Sequence, residues 1–142
     1  MVPKFSANNI TVALQGFDLK KHFPEAYVDA RRNSLTWRAN ILPSPLSDTY
    51  TVQLKYSLED RPRVYVLKPE LKAPEGKSVP HVYPGNRLCL YLPRSGEWNG
   101  TMLLSQAIIP WISEWLLHYE IWYATGKWCG GGVHLKLKDK KD

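Results

Sequence analysis

The chain has 142 residues, the size of one ordinary domain, so separate activation and transfer domains do not fit within it and a multidomain enzyme is not expected. Hydrophobic residues at 44% and aromatic residues at 12%, against 23% charged, supply a real core and exclude wholesale disorder. Nineteen Lys and Arg against thirteen Asp and Glu give a formal charge of +6. Part of that excess lies in residues 136–142, which read as a solvated basic tail after a single domain spanning residues 1–135.

No apolar signal core follows Met1, and the most apolar stretch, Met102 to Trp122, is broken by Pro110 and carries Gln106, Glu114, His118 and Glu120. A membrane span is therefore not expected, and the chain reads as cytoplasmic. In that reducing compartment Cys89 and Cys129 are read as thiols.

Along the chain, Ile10, Ala13, Leu14 and Phe17 recur at helical spacing within Ala7 to Phe23, predicting a helix whose length Gly16 and Pro24 limit. From Leu35 the period changes to two. Leu35, Trp37, Ala39 and Ile41 alternate with polar residues, and after a turn rich in proline and serine Tyr50, Val52, Leu54 and Tyr56 do the same. Glu59 to Pro62 reads as a turn and Val64 to Leu67 as a short strand, so the spacing predicts a three-stranded antiparallel meander.

Four prolines between Lys68 and Pro84 predict an extended surface segment, because each removes a ladder donor. A helical region then starts with Asn99 as N-cap, and Pro110 is expected to split it in two. In the second piece Ile112, Trp115, Leu116, Tyr119, Trp122 and Tyr123 share a face, and Gly126 ends it. The tryptophans read as core packing rather than as a base-stacking surface.

The chemistry lies between His81 and Trp98. His81, Tyr83 and Asn86 precede Cys89, and on spacing alone a buried structural cysteine beside a loop histidine accounts for them. His81, Cys89, Cys129 and His134 include zinc-binding atom types but lack the close Cys-x-x-Cys clamp of structural sites, so no metal or other cofactor is assigned.

The order of elements adds to this. A helix, a meander, a proline-rich segment and Leu88-Cys89-Leu90 resemble a ubiquitin-conjugating enzyme, whose His-Pro-Asn motif leads to a Leu or Ile-Cys-Leu active site. Leu35 to Ala39 resembles that family's first strand, Arg61 to Val64 the start of its third, and Trp98 its tryptophan after the cysteine. Cys89-Leu90-Tyr91, Ile109-Pro110-Trp111 and Gly126 to His134 resemble the short prokaryotic members that accompany a cyclic-oligonucleotide synthase in antiphage operons of the CBASS type.

This resemblance implies an α+β fold, an antiparallel meander sheet flanked by helices. It implies a transferase that holds the C-terminal glycine of a partner, a cyclic GMP-AMP synthase-like nucleotidyltransferase, as a thioester on Cys89 and passes it to a lysine-bearing acceptor. A thiolate is the species that accepts an acyl group. Cys89 is accordingly expected at the surface, with Arg87 or Arg94 able to favour the thiolate.

His81-Val82-Tyr83 stands where His-Pro-Asn is expected, so Tyr83 replaces the motif asparagine and Asn86 is the other candidate donor to the oxyanion of the transfer step. Tyr91 occupies the place of the family's acidic residue. Two further readings stand beside this one: an inactive scaffold of the same fold, and a basic RNA-binding module motivated by charge and aromatic content. The resemblance implies a protein partner rather than a nucleic acid, since charge alone does not assign one.

Overall fold

The computed structural model describes residues 9–91 and 96–129. The glycine run 130–132, His134 and the basic tail lie outside them, as does Arg94.

Helix α1 spans Val12–His22 and starts at Thr11, whose Oγ1 accepts from the Leu14 amide at 3.1 Å and so satisfies one free donor of the first turn. The sequence places this helix correctly but points it the wrong way. Its buried face is Val12, Gln15, Gly16 and Leu19, whereas Leu14 and Phe17 stand more than half exposed. Burying Gln15 and Gly16 is a tertiary decision. A Cβ on Gly16 would come within 2.9 Å of the Ala30 Cβ, so only glycine lets α1 lie this close to the sheet. The two polar ends of Gln15 are matched by the main chain: Nε2 donates to the Met102 carbonyl at 2.8 Å and Oε1 accepts from the Leu104 amide at 3.0 Å.

Four antiparallel strands follow in chain order, β1 (Tyr27–Ala30), β2 (Ser34–Ile41), β3 (Tyr50–Ser57) and β4 (Asp60–Lys68). The meander is thus one strand larger than the sequence predicts, because the four residues of β1 form a half-exposed edge whose alternation is too short to detect. Strand β4 also starts earlier than expected and takes Pro62 in. As the last strand of the sheet it can lack a donor there. Register places Trp37 opposite Leu54 and Leu54 opposite Val64, so one face carries a continuous apolar row.

Residues 69–81 run without strand or helix, as the prolines dictate. They lead into a small hairpin of β5 (Val82–Tyr83) and β6 (Arg87–Leu88). Between Asn99 and Ala107 the expected first helix is instead a series of turns. Asn99 does cap, but it caps a turn, its Oδ1 accepting from the Thr101 amide at 2.9 Å.

Helix α2 runs unbroken over Ile108–Thr125. Pro110 is its third residue rather than a break, because the first-turn amides have no intrahelical acceptor and the missing N–H costs nothing there. Gly126 ends the helix in the left-handed region at φ 81°, as expected. Ile108, Ile112, Trp115, Leu116, Tyr119 and Trp122 join the sheet row in one core cluster, while Tyr123 remains about half exposed.

Candidate functional site

The hairpin, the extended segment and α2 meet around Cys89. Helix α2 pins the extended segment at two points. The Tyr119 hydroxyl accepts from the Lys72 amide at 2.8 Å and donates to the Lys72 carbonyl at 3.0 Å. Farther along, the buried Trp115 indole donates to the His81 carbonyl at 3.1 Å, and the same carbonyl accepts from the Cys89 amide at 3.0 Å. The main chain of Cys89 is therefore held to the helix through one oxygen of His81. To present that oxygen His81 adopts φ 57°, uncommon for a residue with a side chain, and its ring packs against Trp128 at 4.7 Å. His81 is 2% exposed, and its carbonyl, shared by the Trp115 indole and the Cys89 amide, gives it a positioning part.

The sequence expects a surface thiol, and the structure corrects this: Cys89 is 4% exposed. It follows directly on β6, whose Leu88 faces the core, and the hairpin folds Tyr83 back over it. The thiol lies 3.5 Å from the Tyr83 hydroxyl and donates to it. Burial, then the hydrogen bond to Cys89, keeps the Tyr83 phenol protonated far above its usual range, while Arg87, 4.3 Å over its ring, acts in the opposite sense. A phenol locked in its neutral form is a permanent donor, to sulfur when sulfur is the anion and to an oxyanion formed beside it.

Tyr83 and Asn86, the two candidates for the missing asparagine, are separated by this hairpin. Asn86 sits at its exposed tip in the left-handed region, φ 66°, with its amide bonded to the Tyr83 carbonyl at 3.0 Å. Cys89 lies at the opposite end, across from His81, about 10 Å along an extended strand from Asn86. Tyr83 is the one brought to the sulfur.

A cavity of about 130 Å³ lies against the hairpin, lined by Arg61, Pro62, Tyr83, Arg87, Leu88, Leu90 and Tyr91 but not by Cys89. Arg61 comes from β4, 26 residues upstream of Arg87, and no spacing in the sequence joins the two. Trp98 stands edge-on to Tyr56 at 5.9 Å, outside this lining. Cys129 is exposed. Among the described residues no group of three or more His, Cys, Asp and Glu could hold a metal ion, and no helix is long and apolar enough to cross a membrane.

One helix, an antiparallel meander, a proline-rich segment leading to a cysteine, and a long buried helix together make an α+β fold of the ubiquitin-conjugating-enzyme-like class, with a thiol-phenol contact after the proline-rich segment. The family model described as Type II CBASS E2 protein matches residues 15–135, and the chain belongs to that family. Membership gives it an E2-like role in a CBASS system. No curated protein matches the chain.

Proposed function

We propose that Cys89 accepts the acyl group of a partner's C-terminal glycine as a thioester and delivers it to a lysine amine, the partner being a cyclic GMP-AMP synthase-like nucleotidyltransferase of the same operon. The observation that carries this reading is the 3.5 Å contact between the Cys89 thiol and a tyrosine standing at the place of the motif asparagine. The Cys89 thiol attacks the carbonyl carbon of a C-terminal glycine that a separate enzyme has already activated as a thioester, the carrier thiol departs with the proton that sulfur loses, and the acyl group rests on Sγ. A neutral lysine amine then attacks that carbon, the tetrahedral oxyanion receives a hydrogen bond from Tyr83, and the Cys89 thiolate leaves and takes up the proton the amine releases. Burial implies that the Tyr83 side chain turns to admit the donor, so the residue that stabilises the oxyanion also covers the sulfur. The catalytic unit is the single domain 1–135, acting in the cytoplasm without a cofactor of its own, and the tail 136–142 stands outside it.

The test is to mix the chain with the operon's nucleotidyltransferase carrying its C-terminal glycine as a preformed thioester and to resolve the products without reductant. A thiol-sensitive adduct that Cys89→Ala abolishes supports the reading, and an adduct that persists in the variant rejects it. The 4% exposure of Cys89 favours one other reading, an inactive scaffold of the same fold. That reading predicts partner binding unchanged in Cys89→Ala with no adduct from either protein.

A further inference from the structure

The four-stranded sheet has a second face. Val28, Trp37, Leu54 and Val64 point inward to the core, so their strand neighbours point outward. On that outer side Tyr27, Arg38, Gln53 and Tyr65 stand opposite one another in one row that crosses all four strands. Two residues along lies a second row of Asp29, Thr36, Lys55 and Arg63, and on the opposite flank Thr51 pairs with Lys68. None of these outward residues is buried.

The outer rows carry four cations, Arg38, Lys55, Arg63 and Lys68, against one carboxylate, Asp29, which Arg31 already pairs at 3.0 Å. Lys55 and Arg63 stand directly opposite across two strands, an arrangement in which like charges repel and destabilise a sheet. Asp60 reaches Arg63 at 3.4 Å, but among the described residues no carboxylate is within ion-pair distance of Lys55 or Lys68. A polyanion lying across the face relieves that repulsion.

The central row adds flat surfaces to the charge. The Arg38 guanidinium lies 4.4 Å over the Tyr27 ring at one end, and Tyr65 stands at the other, three strand spacings or about 14 Å away. Bases of a single strand stack on aromatic rings and on arginine planes, whereas a duplex keeps its bases out of reach of a flat sheet. Thr36 and Gln53, set between the cations, offer a hydroxyl and an amide to the 2′-hydroxyl, the group that tells RNA from DNA.

We infer that the outer face of the sheet is a binding surface for single-stranded RNA, with bases on Tyr65 and on the Arg38–Tyr27 stack and phosphates on Lys55, Arg63 and Lys68. The surface is separate from the thiol, and its occupation does not depend on the proposed transfer reaction.

The experiment follows the fluorescence anisotropy of fluorescein-labelled decauridylate titrated with the full-length reduced chain at 50 and 200 mM salt. Three phosphate contacts predict a log-log slope of about −2 for a single strand, so the fourfold rise in salt is expected to weaken binding roughly 20-fold. The double variant K55Q/R63Q is expected to bind at least about tenfold more weakly with a slope near −0.7, and it removes a repulsion rather than a packing contact. Tyr65→Leu is expected to weaken binding about fivefold or more and to leave the slope unchanged, which separates stacking from charge. Circular dichroism of both variants is expected to match the native chain.

No saturable binding at 50 mM salt, or native affinity and slope in K55Q/R63Q, overturns the inference. Equal competition by inorganic polyphosphate of ten units reduces the face to a charge patch and overturns RNA, as does equal or tighter binding of the deoxy decamer or of duplex RNA. Neutralising Lys136, Lys138, Lys140 and Lys141 to glutamine is expected to leave most of the affinity, and its loss in that variant would move the site to the tail and overturn the sheet. Cys89→Ala is expected to bind RNA as the native chain does. An adduct without RNA binding would end this inference alone, and RNA binding without an adduct would end the transfer reaction alone.

Discussion

Replacing Gln15 by methionine keeps the length of the side chain and removes both of its polar ends. In the native chain Gln15 is fully buried and clamps α1 to the turns before α2 through Met102 and Leu104, with Leu104 equally buried. The substitution removes both hydrogen bonds and leaves the part-buried Met102 carbonyl and the buried Leu104 amide without a partner, each at a cost of about 2 kcal/mol. The sum is about 4 kcal/mol, from which burial of the methionine's apolar surface returns about 1 kcal/mol. The expected loss is about 3 kcal/mol, which for a domain of this size lowers Tm by roughly 10 °C. Urea denaturation followed by far-ultraviolet circular dichroism measures it, with the slope of the transition expected to stay constant. A loss below about 1 kcal/mol would refute the reasoning, since it would mean that the Met102 and Leu104 groups find other partners at no cost.

Gly16→Ala should destabilise by about 1 kcal/mol: the roughly 1 kcal/mol gained in helix propensity is outweighed by a Cβ placed 2.9 Å from the Ala30 Cβ, an atom that cannot rotate away. Thermal denaturation checks it, and a stabilised variant would show that α1 shifts freely on the sheet. Tyr50 donates to Glu120 at 2.6 Å, and burial followed by that carboxylate holds its phenol protonated far above the usual range. The unfolded chain loses this proton near pH 10 while the folded chain keeps it, so the stabilisation is intact below that pH and falls as pH rises past it. Stability measured from pH 9 to 11.5 should therefore drop less steeply in Tyr50→Phe than in the native chain, and parallel curves would contradict the assignment. Tyr83→Phe should still form the Cys89 adduct but transfer it to free lysine about 10²- to 10³-fold more slowly, and an unchanged single-turnover rate would remove Tyr83 from the reaction.

Local pattern alone determined three of the four meander strands, the extended segment, the end of α2 at Gly126 and the stretch in which the chemistry is sought. Strand alternation, proline density and a glycine stop act within a few residues, so they are written in consecutive letters. The resemblance carried by Leu88-Cys89-Leu90 and its neighbours gave the family. Tertiary contact decided the rest. The helix of Leu14 and Phe17 buries the opposite face because Gly16 and Gln15 find a close sheet and two main-chain partners some 87 and 89 residues away. Pro110 opens a helix instead of breaking one because the chain enters α2 at Ile108, which the sequence around the proline does not mark. Hairpin geometry turned two sequence candidates into one neighbour of the sulfur, bringing Tyr83 to Cys89 and leaving Asn86 at the tip. The same packing buried the thiol and set Arg61 beside Arg87, since whether a side chain meets water or another side chain depends on elements folded over it from distant parts of the chain.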